Sequence, residues 1–109
     1  MPLTLDTLAA NDTLANLQAT IAQTEVQGYE LITFGRGVVN GQKSNTVTYR
    51  NRAPGDAPGP LTLVEVSAAM ALTAQEGAIN NGENGGKKLI SYAAVFVGSK
   101  ETTVAAYRG

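Results

Sequence analysis

The sequence contains no cysteine, histidine or tryptophan. Without cysteine there is no disulfide framework and no thiolate to act as nucleophile or metal ligand. The missing histidine removes most remaining transition-metal sites and most nucleophile–base pairs. No catalytic residue, cofactor-binding residue or metal ligand is therefore expected, and the chain does not read as an enzyme. Aromatic residues are only 6% of the total, too few to line a deep pocket. Neither charge sign dominates. Eight basic and 9 acidic side chains leave a net charge of −1, so no basic footprint points to nucleic acid or an anionic membrane surface. No apolar run approaches the roughly 18 residues of a membrane span. The opening MPLTLDTL lacks the basic-then-apolar order of an export signal, so a cytoplasmic product is expected.

What the chain does have is a second copy of itself. Residues 2–51 and 60–109 align without a gap at an offset of 58, and 14 of 50 positions are identical. Chance at this composition gives about four or five. The identities cluster as PLTL at each start (Pro2–Leu5, Pro60–Leu63), as Gly28/Gly86 with Leu31-Ile32/Leu89-Ile90 in each middle, and as Tyr49-Arg50/Tyr107-Arg108 at each end. At 109 residues the chain fits one domain, because halves of about 50 are marginal alone. The expectation is a single domain over 1–109, with repeat 1 at 2–51, a Pro/Gly linker at 52–59 and repeat 2 at 60–109.

Each repeat reads β-α-β-β. PLTL opens a strand at 61–66 in the second copy, and at 3–8 in the first it opens an edge strand or an extended arm. Helical spacing follows: Ala10, Leu14, Leu17 and Ile21 in the first copy, Ala68, Leu72 and Ile79 in the second. Asn11 or Asp12 is the expected cap of the first helix and Ser67 of the second. Gly28 is the expected stop of the first, and the second is expected to end near Asn80, where NNGENGG begins. Two strands close each copy, 30–39 with 45–52 and 88–97 with 103–108, joined by short polar turns. The fold class is α+β: one mostly antiparallel sheet with two helices on one face, ferredoxin-like in style.

Residues 28–50 resemble the small uncharacterised bacterial domains known as DUF4177. The matching residues are Gly28, Tyr29, Glu30, Leu31 and Ile32 after the helix, then Tyr49 and Arg50 at the end of the hairpin. The second copy keeps Gly86, Leu89, Ile90, Tyr107 and Arg108 but carries Lys87-Lys88 in place of Tyr-Glu. The resemblance implies a fold and brings no activity.

Strand alternation places Ile90, Tyr92, Ala94 and Phe96 on one face and Leu89, Ser91, Ala93, Val95 and Val97 on the other. This strand is apolar or small on both sides, and two helices cover one sheet face only. A second subunit is the expected cover for the other. Ala93, Val95, Val97, Arg50 and Arg108 are the candidate interface residues, the arginines either snorkelling from their strand ends or partnering carboxylates. Glu25 and Glu83 lie at helix ends beside loops and are expected to be solvated. NNGENGG holds too few anionic ligands for calcium. The Gly-rich stretch 34–41 opens no helix, so it marks a bulge or close backbone approach rather than a nucleotide loop. The functional expectation is a non-catalytic structural protein acting as a homo-oligomer. Its low-charge surface, rich in small residues, suits a bacteriophage virion accessory such as a head decoration protein, in contact with other particle proteins. The alternative is a cytoplasmic regulatory module with a ligand between the halves.

Overall fold

The computed structural model describes residues 2–52, 58–67 and 69–109. Most of the expected linker, residues 53–57, and Ala68 of the expected helical stripe lie outside the described residues. The chain order is β1 (Leu3–Leu8), α1 (Leu14–Val26), β2 (Tyr29–Val39), β3 (Gln42–Asn51), β4 (Leu61–Val66), α2 (Leu72–Asn84), β5 (Lys88–Val97) and β6 (Lys100–Arg108). The fold is α+β, with the β-α-β-β order in both halves. β1 and β4, and likewise α1 and α2, start and end 58 positions apart. Each first strand begins at the same backbone bond: Asn51 N–H to Pro2 O at 3.3 Å, and Gly109 N–H to Pro60 O at 3.1 Å.

The six strands form two antiparallel three-stranded sheets rather than the single sheet expected, ordered β1-β3-β2 and β4-β6-β5. Both hairpins turn on two residues with positive φ, Asn40-Gly41 and Gly98-Ser99, the backbone that matches strand twist. The register of each hairpin shifts once, between Leu31 and Thr33 and between Leu89 and Ser91. An extra residue of this kind exchanges the two faces of a strand. Leu31 therefore shares a face with Phe34, and Leu89 shares one with Tyr92, against strict alternation.

The helix ends also differ from expectation. Thr13 caps α1, its hydroxyl accepting the Asn16 N–H at 3.2 Å, in place of Asn11 or Asp12. α2 starts after Ala71 with no side-chain cap, while the Ser67 hydroxyl accepts the Ala69 N–H at 3.2 Å. α2 also continues through NNGEN to Asn84. Packing overrides the weak propensity of that stretch. Gly82 lies directly on the Tyr107 ring, and the Tyr107 hydroxyl donates to Ile79 O at 3.0 Å. Gly28 follows the α1 C-cap at φ +104°, as the helix stop requires.

Two apolar clusters result. The larger joins Leu17 and Ile21 of α1 to one face of the first sheet (Leu8, Leu31, Phe34, Val47, Tyr49) and one face of the second (Leu61, Leu63, Val95, Val104, Ala106). The smaller lies between α2 and the opposite face of the second sheet, around Val66, Ala105 and Tyr107. The second sheet is thus covered on both sides within the chain. α1 and the first sheet supply the cover for which a second subunit was expected.

Candidate functional site

The joint between the halves is built on the end of α1. Glu25 falls in the last turn, and Gly28 then reverses the chain into β2. Leu31 lies at the bulge with its N–H on the free edge of the sheet, and Glu25 Oε2 accepts it at 2.8 Å. Arg108, the last residue of β6, reaches the same carboxylate from the other half, Nη1 to Oε1 at 2.7 Å and Nη2 to Oε2 at 2.5 Å. It also donates to Gly59 O at 2.9 Å. Arg52 donates to Tyr29 O at 3.2 Å and to Glu25 O at 2.5 Å. Glu25 is buried, which corrects the expectation that it is solvated. A buried carboxylate persists where it is paired and its oxygens are hydrogen-bonded, and this one is both.

Three further polar contacts fix the joint. Gln18 Oε1 accepts the Leu63 N–H at 2.9 Å, on the free edge of β4. The buried Asn45 amide serves both backbone groups of Phe96, donating to its carbonyl and accepting its N–H, each at 2.8 Å. The β5–β6 turn donates Gly98 N–H to Asp12 O at 2.8 Å and Ser99 N–H to Ala10 O at 2.9 Å. Gly35 is a close approach of backbones. A methyl group there would meet the Ala93 side chain at 3.5 Å.

Of the candidate interface residues, Val95 is fully buried in the shared core, Ala93 is half-buried against Gly35, and Val97 packs on the core edge. Arg108 is taken by Glu25. Arg50, its repeat equivalent, is exposed and makes no ion pair among the described residues. Sequence reasoning missed Gln18 and Asn45. Neither has an identical partner in the other repeat, and no local pattern marks a polar side chain that reaches across a fold.

The joint has a second aspect, set by the register. Leu3 and Leu5 pair with Arg50 and Thr48 as Leu61 and Leu63 pair with Arg108 and Ala106. These equivalent faces meet opposite fates. Leu61 and Leu63 are 9% and 6% exposed, whereas Leu3 and Leu5 are 52% and 71% exposed. The first sheet thus carries an uncovered face of Leu3, Leu5, Thr7, Thr33 and Arg50. At the opposite end, Glu83 accepts the Leu89 N–H as Glu25 accepts that of Leu31, but Glu83 is exposed. Leu72 of α2 is 79% exposed, while its equivalent Leu14 packs on the core.

Two open clefts are each lined by residues of both halves. One of about 460 Å³ runs past Arg36, Val38, Lys43, Phe96 and Glu101, where Arg36 and Glu101 pair at 2.9 Å. The other, about 290 Å³, lies beside the joint between Ala22, Val26, Arg52 and Pro60. Among the described residues no three acidic side chains gather as metal ligands, and no helix is long and apolar enough to cross a membrane. Burial pushes the hydroxyls of Tyr49 and Tyr107 above the ordinary tyrosine pKa. For Tyr49 a hydrogen bond with Thr24 opposes the rise, and Asp6 and Glu25 add to it.

No protein-family model, curated protein or solved structure matches the chain. The resemblance to DUF4177 domains rests on the residues of the two repeats alone.

Proposed function

We propose that this protein is a non-catalytic assembly module that works as a homo-oligomer. One observation carries the reading: the sheet face buried in the second half is presented again, uncovered, by the first half. Adjacent exposed leucines on a weakly charged sheet face mark an interaction surface. The same features suit a bacteriophage virion accessory, such as a head decoration protein, because shells are built from one surface repeated many times. Light scattering of the purified protein tests the assembly reading, with a mass above the 11.3 kDa of one chain as the expected result. Mass spectrometry of purified particles tests the virion assignment, where the chain should appear at high copy number.

The cleft of about 290 Å³ beside Arg52 supports the second reading, a regulatory module with a ligand between the halves. It is the weaker of the two, because Glu25 and Arg108 satisfy each other there. A native mass spectrum with a bound small molecule on a monomer would favour it.

A further inference from the structure

The joint inside the chain is heterologous. The face of the second sheet meets the helix-bearing side of the first half, and the two surfaces differ. Each is also present a second time. The first sheet repeats the docking face at one end of the molecule, and α2 with Glu83 repeats the receiving side at the other. Heterologous contacts of this kind do not close on a pair; they continue into rings or filaments.

We propose that copies of this protein associate head to tail by repeating their own internal joint, with Arg50 of one copy bound to Glu83 of the next. The proposal rests on the assembly reading above and specifies its geometry. The charges are complementary and already placed. Glu83 is anchored by the Leu89 N–H, as Glu25 is by Leu31, so its carboxylate is held ready for a guanidinium. Arg50 stands at the register position of Arg108, opposite Leu3 as Arg108 is opposite Leu61. The apolar parts correspond in part: Leu3 and Leu5 occupy the places of Leu61 and Leu63, while Gly37, Thr46 and Thr48 stand where the internal joint has Val95, Val104 and Ala106. The edge contact has its counterpart too. Glu76 stands at the position of Gln18 and is exposed, offering a carboxylate to the Leu5 N–H. Arginine and carboxylate in a bidentate pair fix orientation as well as affinity.

Sedimentation velocity over a wide concentration range tests this with the wild type, Arg50→Glu and Glu83→Gln. Glutamine keeps the acceptor for Leu89 and removes only the charge. The expected result is that the wild type associates and each variant weakens association about a hundredfold, the scale for breaking a desolvated interfacial pair. Arg50→Glu copies retain Glu83 and so bind one neighbour but cannot dock on another. Added in small proportion, they should shorten wild-type assemblies. If the wild type assembles while either variant assembles as well as it does, the head-to-tail pairing is wrong and the assembly reading stands. If the wild type is a monomer throughout, both are wrong.

Discussion

Glu25, at the end of α1, holds Arg108, 83 positions away, through both carboxylate oxygens, and the pair is largely out of solvent. It locks the last strand of the second half to the helix of the first. Breaking such a pair leaves an uncompensated buried charge, which costs about 3–5 kcal/mol. Glu25→Ala is expected to lower stability by that order, because it also orphans the Leu31 N–H. Arg108→Met, which strands the carboxylate, should cost a similar amount. Chemical denaturation of each variant against the wild type measures this. A loss below about 1 kcal/mol would show that the pair is not what joins the halves.

Asn45 makes a different prediction. Its amide satisfies a donor and an acceptor of the same residue, Phe96, inside the core. Asn45→Ala leaves both unsatisfied, at about 1–3 kcal/mol each. Asn45→Asp keeps the acceptor but loses the donor and buries a charge, so it should be worse than alanine. The urea midpoints should fall in the order wild type, Asn45→Ala, Asn45→Asp.

The two glycines of α2 should respond in opposite directions. Nothing lies near a Cβ at Gly77, so Gly77→Ala should stabilise by about 1 kcal/mol through helix propensity. A Cβ at Gly82 would strike the Tyr107 ring, so Gly82→Ala should destabilise by about 1–3 kcal/mol as overpacking does. Thermal melts of the two variants check this, and Gly82→Ala should also disturb the near-ultraviolet tyrosine signal.

Tyr49 sets an alkaline limit. Burial, the largest cause, raises its pKa in the folded state above the unfolded value of about 10. The folded state therefore favours the neutral phenol. This contribution is fully present below pH 10 and is lost as pH rises through the folded pKa. Stability should fall from about pH 10 upward, and Tyr49→Phe should flatten that fall, with Tyr107 accounting for what remains. Denaturation curves at pH 8 to 11.5 measure the slope.

Much of this architecture was legible because the chain states it twice. The offset of 58 located both helices and all six strands. What failed had particular causes. One extra residue at each bulge exchanged the faces of β2 and β5 ahead of it, which no count of alternating residues reveals. One sheet became two because β2 and β5 meet through side chains, such as the Ser91 hydroxyl at the Phe34 backbone, and not through a ladder. Glu25 looked like a solvated helix-end charge because its partner is distant in sequence. Its equivalent Glu83 is exposed, so identical residues in the two repeats have different surroundings. That difference carries the account of assembly, and the sequence shows only the identity.

Hydroxyl-radical footprinting of the leucine side chains, from dilute to concentrated protein, tests the central claim most directly. Leu3 and Leu5 report the open sheet face, and Leu72 reports the open helix end. The account predicts that both ends become protected together as assembly proceeds, with Leu61 and Leu63 protected throughout. Protection of Leu3 and Leu5 alone would mean that two sheet faces meet symmetrically. Protection of neither would mean that these surfaces do not join copies, and either result contradicts the account.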